Sequence, residues 1–447
     1  EILIATDPDT EGERISWDIA QFLKPVNPNV RRIELHEITR AEFKRKVKEP
    51  RDFDLPLVEA QIVRRIQDRW VGFELSGKVQ RVFNRRDLSA GRVQSTVLGW
   101  IVKRKEDYEK SKKIFTIIEM DGRKIEVEGK HEIEKIRISQ VEEFEDEILP
   151  SPPYTTDTIL MDGSRVLKVG VMEVMNMLQD LFEMGFITYH RTDSTRISKF
   201  GIEVAKRILD KEGLLNYFDP RSWEIGKKGA HEAIRPTKPF SPDDLEDYME
   251  EELIRGKIGK KLLELYSLIF ERFLKSQMKP VKVIKQKAVI EVGNVDVEDT
   301  VVKKIVEDGW NRIDPDAFDL YEYRIGEYRI RNLKYIERHT LQLHTQASII
   351  SEMKEKGVGR PSTYSKIVEI LFKRGYIFED RYKRIHPTKL GRMVFEYLEK
   401  NYPEFVNENK TRELEELMDR VANGEMEYDE AMKSVYDDLR KIRTVKR

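Results

Sequence analysis

Two stretches of β patterning separated by a long helical stretch constrain this chain more than any other feature. Residues 114–150 alternate apolar and polar, in Ile114-Phe-Thr-Ile-Ile-Glu-Met120 and Lys124-Ile-Glu-Val127, with Asp121-Gly122 between them. Asp-Gly between alternating runs signals a hairpin, because a two-residue turn of this kind needs positive φ. The patterning returns over 281–336, in Val281-Lys-Val-Ile284, Ala288-Val-Ile-Glu-Val292 and Tyr328-Arg-Ile330. Pro150, Pro152 and Pro153 close the first stretch, and residues 165–275 are helix-rich. A β domain that is entered, left and re-entered has another domain inserted into it.

The flanks have their own character. Residues 1–50 read as α/β: a strand at 2–6, a helix over about 12–24, a strand at 31–35 and a helix over 39–48. Residues 56–110 read as helical, broken near Ser89-Ala-Gly91, and 344–447 are helical again. At 447 residues about three or four domains are expected. The chain has no cysteine, which excludes disulfides, thiolate zinc sites and thiol catalysis in these residues. No apolar run reaches the ~18 residues of a membrane span, and no signal peptide is evident. The chain opens without Met on Glu1-Ile-Leu-Ile-Ala-Thr6, a strand already under way, so a fragment of a longer protein is expected. Charged residues make up 36%, which hints at a heat-adapted protein with ion-pair networks; a merely hydrophilic mesophile protein is the alternative.

Net charge is −1, so any nucleic-acid contact must come from local distribution. Residues 64–104 hold ten Lys/Arg against three acids, and 106–150 hold fourteen acids against eight bases. The basic stretch suits a phosphate backbone or, equally, a solvated helix face.

Five segments carry chemistry. Asp7-Pro-Asp-Thr-Glu11-Gly-Glu13 leaves a strand and opens a helix. Asp7, Asp9 and Glu11 crowd where a hard cation such as Mg²⁺ would relieve their repulsion; helix capping by Asp9 or Thr10 is the other reading. Gly185-Phe-Ile-Thr-Tyr189-His-Arg-Thr-Asp-Ser-Thr195 follows an apolar helix. Its phenol can be a nucleophile towards a phosphodiester, with Arg191 neutralising phosphate charge; it is also one of 17 tyrosines and can be an ordinary surface residue on a strand. His231, in Gly229-Ala-His231-Glu-Ala-Ile-Arg235-Pro-Thr237, is a proton donor or acceptor near neutral pH or a buried structural residue. Ser89-Ala-Gly-Arg-Val-Gln-Ser95 and Gly357-Val-Gly-Arg-Pro-Ser-Thr363 bind phosphate or are plain interhelical turns. Leu181-Phe-Glu-Met-Gly-Phe-Ile187 echoes Leu371-Phe-Lys-Arg-Gly-Tyr-Ile377; each reads as a helix stopped by an αL glycine and leading into the wing of a winged-helix unit, or as a plain helix cap.

In order and spacing these segments resemble the type IA DNA topoisomerases. Asp7 to Glu13 is similar to the Toprim metal loop, and Ser89–Ser95, Ile187–Ser194, His231–Thr237, Gly359–Thr363, Pro387-Thr-Lys-Leu-Gly391 and Thr411-Arg-Glu-Leu-Glu-Glu416 are similar to the family's other signatures. Within the family, Thr10 in place of the usual Arg, Tyr189-His-Arg and Pro153-Tyr-Thr-Thr-Asp157 resemble the topoisomerase half of the reverse gyrase branch.

The resemblance implies a multidomain α+β fold with an α/β Toprim portion, a four-domain toroid with winged-helix-like helical domains and a β-rich arch. It implies an incomplete Toprim domain at 1–52, a helical DNA-groove domain at 53–112 and 341–447, an arch at 113–160 and 281–340, and a helical lid bearing the tyrosine at 161–280. It makes Tyr189, Arg191 and His231 catalytic, Asp7, Asp9 and Glu11 ligands of Mg²⁺, and Arg92, Gln94, Ser95, Thr192, Asp193, Ser194 and Arg235 DNA contacts. The implied activity is transient cleavage of one strand through a 5′-phosphotyrosine link, strand passage and religation. The implied partners are single-stranded DNA and an ATP-driven helicase-like module of the parent chain, acting as a monomer on the chromosome in the cytoplasm to introduce positive supercoils. A stand-alone enzyme relaxing negative supercoils and a non-cleaving DNA-binding fragment are the alternatives. The family's Cys-rich zinc modules are absent here, no Gly-x-x-x-x-Gly-Lys-[Ser/Thr] loop occurs, and the Glu that the family carries on its first Toprim strand is expected to precede residue 1.

Overall fold

The computed structural model describes residues 1–223, 231–251 and 259–444. Gly229 and Ala230, at the head of the His231 segment, lie outside them. The chain begins with strand β1 (Ile2–Ile4), helix α1 (Thr10–Leu23), strand β2 (Val30–Arg32) and helix α2 (Arg40–Lys46). β1 and β2 pair in parallel. β2 is shorter than the expected strand, because the chain turns away where Glu34 ion-pairs with Arg51, 2.5 Å off. Two long helices follow, α3 (Leu55–Phe83) and α4 (Arg92–Lys110), parted by Asn84 in the left-handed conformation and the loop to Gly91.

Strands β3 (Lys112–Met120), β4 (Arg123–Glu128) and β5 (Lys135–Ile148) come next, with Asp121 and Gly122, both at positive φ, making the β3–β4 turn. Helices α5 (Thr156–Leu167), α6 (Val171–Glu183), α7 (Lys199–Lys211), α8 (Pro242–Glu251) and α9 (Lys260–Ser276) form the insert. The chain returns through β6 (Val281–Val292), β7 (Val295–Glu307), β8 (Gly326–Arg329) and β9 (Asn332–His339). It ends with α10 (Gln346–Glu355), α11 (Tyr364–Lys373), β10 (Ile377–Glu379), β11 (Ile385–Pro387), α12 (Lys389–Asn401), α13 (Glu408–Ala422) and α14 (Tyr428–Thr444). Among the described residues no helix is long and apolar enough to cross a membrane.

The two β stretches build their sheets jointly. β5 and β6 pair antiparallel from Arg137↔Glu291 to Ile148↔Val281, inside a four-stranded sheet ordered β7-β6-β5-β8. β3 pairs with β9 from Lys112↔His339 to Glu119↔Asn332, in a sheet ordered β4-β3-β9. The insert therefore leaves and returns through the adjacent ends of one strand pair. Alternation puts Ile118, Ile125, Ile138, Ala288 and Ile290 into a separate core between these sheets. The apolar runs Val281–Ile284 and Ala288–Val292 belong to one strand, because the polar run Lys285-Gln-Lys287 between them is satisfied inside the sheet. Lys285 reaches Asp146 at 2.6 Å, and the buried Gln286 amide joins Glu143 and the Tyr323 N–H. Register shifts flanking Val283 and Ile284 absorb the irregularity.

The insert is closed against the helical body. One continuous core runs from Leu75 of α3 and Leu98 of α4 through Leu178 of α6 and Ile269 of α9 to Leu371 of α11. Polar ties add to it: the Lys354 ammonium lies 2.6 Å from Asp157, and Val171 N–H donates to the Gln346 amide oxygen at 3.0 Å.

The internal echo divides. Leu371–Ile377 ends α11 and runs into the β10–β11 hairpin, as a wing would. Leu181–Ile187 ends α6 but makes no hairpin; Ile187 and Thr188 form isolated bridges to Pro236 and Glu37. The expected first wing is therefore a three-way junction, because its strand partners come from distant segments. Both echo glycines have positive φ, +75° at Gly185 and +67° at Gly375, but a Cβ at Gly185 would lie 2.2 Å from the Ile38 carbonyl oxygen, whereas Gly375 has open space. Gly375→Ala should cost only the left-handed strain, about 1–2 kcal/mol. Gly185→Ala should cost more, because the junction must also move. Guanidinium midpoints compare the two, and equal losses would contradict the close approach at Ile38.

Candidate active site

The acidic loop is shaped from beneath. Asp9 is the N-cap of α1, its Oδ1 accepting from Gly12 N–H at 2.7 Å. Gly12 permits the turn, since a Cβ there would lie 1.9 Å from the Asp7 carbonyl oxygen. The buried Arg32 of β2 donates to the carbonyls of Asp7 (2.8 Å) and Gly12 (3.0 Å) and ion-pairs with Glu13 at 2.7 Å. Glu13 is itself buried and also held by Arg51. The fourth acid of the loop is thus an anchor, which leaves Asp7 and Asp9 to face the insert.

Tyr189 meets them there. Its N–H donates to the His36 carbonyl at 2.9 Å, and Thr188 N–H to the Arg235 carbonyl at 3.0 Å. The Thr188 hydroxyl donates to the Ala233 carbonyl at 2.7 Å. The tyrosine segment, the His231 segment and residues 36–37 are so woven into one junction. The Tyr189 side chain is 1% exposed, packed edge-on to Phe182 with His231 and His190 alongside. Its hydroxyl donates to Asp9 Oδ2 at 2.6 Å. One carboxylate therefore caps a helix with one oxygen and holds the phenol with the other. Burial first, and then the Asp9 charge, push the Tyr189 phenol far above its ordinary pKa, so it rests protonated. Arg191 opposes that shift. Its guanidinium lies 3.5 Å from Asp7 and 3.8 Å from Asp9. Asp7 is raised, by burial first and then by Asp9.

A cavity of about 240 Å³ opens beside this junction, lined among others by Asp9, Arg191, His231, Arg64, Arg360 and Glu415. Three guanidinium groups converge on it. Glu415, buried on α13, lies 3.4 Å from both Arg64 and Arg360, and Asp419 lies 2.9 Å from Arg360. Arg64, Arg360, Glu415 and His36 were not singled out from the sequence as site residues. Arg360 stands in a segment read as a phosphate loop and Glu415 in Thr411–Glu416, so the signal lay in segments whose side chains had no assigned role. Nothing in the local sequence marks His36.

The expected DNA contacts are placed differently. Arg92, Gln94, Ser95, Thr192, Ser194 and Arg235 are all buried. Arg92 pairs with Asp68 at 3.2 Å and Gln94 bonds Ser89. Thr192 N–H donates to the Thr156 hydroxyl at 2.8 Å. Arg235 is a brace joining Glu232, Glu37 and the Pro236 carbonyl. In this closed arrangement these groups bind protein: Arg92 lies among α3, α13 and α14, Gln94 bonds the loop before α4, and Thr192 and Arg235 are tied to the insert's own residues and to Glu37; only Asp193 is exposed, on the cavity wall. Asp7, Asp9 and Glu11 do not converge as a threesome either: among the described residues no group of three His, Asp or Glu is gathered to hold a metal ion. Glu11 points from the first turn of α1, while Asp7 and Asp9 share Arg191.

Comparison with known proteins settles the family. A DNA topoisomerase family model matches residues 52–433, and a Toprim domain model matches residues 1–38. The chain belongs to the type IA DNA topoisomerase family. It is 43% identical to the reverse gyrase of Pyrococcus furiosus over 98% of its length and 44% identical to reverse gyrase 1 of Aquifex aeolicus over 97%. It spans only 37% and 39% of those two proteins. The full-length topoisomerase I of Thermotoga maritima superposes with a TM-score of 0.83 at 31% identity, covering 99% of this chain and 78% of that one. That likeness agrees with the expected type IA fold of helices and sheets with a Toprim portion.

The junction's histidines predict a pH response. Burial, then His231, lowers the His36 pKa to about 4; burial, then Arg191, lowers that of His190 to about 3. An unfolded histidine titrates near 6.5, so between these values the unfolded chain binds more protons. Stability is then full above about pH 6.5 and falls as pH drops towards 4. His190 is fully buried, and among the described residues neither of its ring nitrogens finds a hydrogen-bond partner. His190→Leu should keep or raise the pH 7 denaturation midpoint and flatten its acid slope between pH 6.5 and 4. An unchanged slope would contradict a buried neutral His190.

Proposed function

We propose that this chain is the strand-cleaving module of a reverse-gyrase-like protein and that Tyr189 is its nucleophile. The observation that carries the reading is the Tyr189 hydroxyl, hydrogen-bonded to Asp9 and set beside Arg191 at a cavity where three guanidinium groups meet four carboxylates. The phenolic oxygen attacks a backbone phosphorus, the P–O3′ bond breaks, and a 5′-phosphotyrosine and a free 3′-hydroxyl result. Asp9 is in place to accept the phenolic proton. The departing 3′-oxygen takes up a proton, with His231 on the same wall. Reversal by the 3′-hydroxyl needs no added energy, because the phosphodiester is conserved in the tyrosyl link. Arg191, Arg64 and Arg360 would balance the phosphate charge.

Asp7 and Asp9, with Glu11 in the first turn of α1, would hold Mg²⁺. Two oxygen donors flanking a single guanidinium, one of them raised by burial and by its neighbour, suit a hard cation. When bound, it supplies positive charge next to the phosphate. The buried phenol makes the closed arrangement a resting state; lifting of the insert would admit a strand and bring Thr192, Ser194 and Arg235 to DNA, with the Arg92–Ser95 segment lining the groove. In the parent protein an ATP-driven helicase-like module would bias passage towards positive supercoils, on the chromosome in the cytoplasm.

Incubation with Mg²⁺ and single-stranded DNA, followed by denaturation, tests the reading. Covalent adduct should form, vanish in Tyr189→Phe with binding retained, and fall about 10²–10³-fold in rate in Arg191→Ala. Binding without adduct would favour a scaffold, and nicked ends that survive Tyr189→Phe would favour a Toprim nuclease.

A further inference from the structure

His36 stands outside every segment that carries the cleavage chemistry, yet it touches two of them. Its carbonyl accepts the Tyr189 N–H. Its ring faces that of His231, with centroids 5.3 Å apart and Nδ1 to Nδ1 at 3.3 Å. Two imidazole nitrogens at that separation attract only if one carries a hydrogen and the other a lone pair. Two protonated Nδ1 atoms would repel, and so would two bare ones. The pair therefore locks its rings into opposite tautomers. His231 has Nδ1 committed to His36, so Nε2 is the nitrogen left for the cavity that it lines with Arg64, Arg191 and Arg360.

Either ring can be the donor in principle; the surroundings choose. The cavity presents three guanidinium groups and the carboxylates of Asp9, Asp193, Glu415 and Asp419, and the Asp9 and Asp193 charges act on His231. A bare Nε2 would turn a lone pair towards such anionic oxygens, a carboxylate's or a phosphate's, whereas an Nε2–H would donate to them. We propose that His36 is a positioning residue: its Nδ1–H donates to His231 Nδ1 and so fixes His231 as the Nε2–H tautomer, a donor aimed at a phosphate or 3′-oxygen in the cavity. The role rests on the cleavage reading above. Burial supports it independently, because it disfavours the charged form of both rings, and a doubly protonated ring would need no partner to present Nε2–H.

The arrangement explains why the junction is tied where it is. The same residue sets the height of Tyr189 through its backbone and the hydrogen of His231 through its ring, so nucleophile and donor are registered to one point on the α/β unit. It also explains why a neutral side chain able to donate belongs at position 36. Leucine would leave His231 free to take either tautomer. Asparagine, whose amide can turn its N–H to the place of the Nδ1–H, would again offer His231 Nδ1 a donor, and the anionic oxygens of the cavity would hold it that way round.

Histidine is rare here, seven residues in all, so the tautomers can be read directly in the intact chain. With ¹⁵N-labelled histidine, long-range proton–nitrogen correlation at pH 7.5 should show His231 as Nε2–H and His36 as Nδ1–H. In His36→Leu the His231 signals should shift towards a mixture; in His36→Asn they should return to Nε2–H. Adduct formation on a single-stranded oligonucleotide with Mg²⁺ should slow at least tenfold in His36→Leu and recover to within about threefold in His36→Asn, at matched thermal midpoints. A His231 that is Nδ1–H in the unsubstituted chain overturns the proposal, as does a His36→Asn variant as slow as His36→Leu with a native midpoint. Failure of the unsubstituted chain to form adduct would count against Tyr189 as nucleophile, while the tautomer spectrum still decides the role of His36.

Discussion

The structure turns on a backbone clamp. Tyr189 N–H to the His36 carbonyl, and the bridge between Thr188 and Glu37, hold a tyrosine from the helical insert against the α/β unit that carries the acidic loop. These segments are far apart in sequence, and nothing local would bring them together. The clamp needs Gly185, whose missing side chain lets the insert lie on the Ile38 carbonyl, and the Arg235 brace between Glu232 and Glu37. With it in place, the phenol lands on Asp9.

The contacts that position the phenol also bury it, so positioning and access oppose each other. The insert is attached through the adjacent ends of β5 and β6, at Ile148 and Val281. A body joined through one strand pair can rotate away as a unit while the sheet stays paired. What must break is the clamp, the Tyr189–Asp9 bond and polar ties such as Lys354–Asp157. Most of these are hydrogen bonds that water can replace, each worth about 0.5–1.5 kcal/mol net. The apolar core shared with the helical body is the larger resistance.

Much of this was legible in the sequence, and the reasons are physical. Alternation and the Asp121-Gly122 turn announced the β sheets, because period two and a positive-φ turn leave few other options. The bracketing of helix by β material announced an insert. The family's motifs, in order, led to Tyr189, Arg191, Asp7, Asp9 and His231 as candidates, and the fold brings these together. Legibility failed where a residue's environment is supplied by distant segments. Arg235 reads from sequence only as a candidate DNA contact, and its bracing role appears only when Glu232 and Glu37 are seen around it. Glu13 looks like one more loop acid until Arg32 and Arg51 enclose it. Leu181–Ile187 looks like the start of a wing because its helix and glycine are local, while its pairing partners are not. His36 carries no local pattern at all.

The central claim is that one phenol among 17 takes up the DNA phosphate. Mass spectrometry tests it most directly: protein trapped on single-stranded DNA with Mg²⁺ is digested with nuclease and protease, and the modified peptide is sequenced. The account predicts a nucleotide joined through its 5′-phosphate to Tyr189, with a free 3′-hydroxyl on the released strand. A 3′-phosphate linkage, or a nucleotide on any other residue, would contradict it.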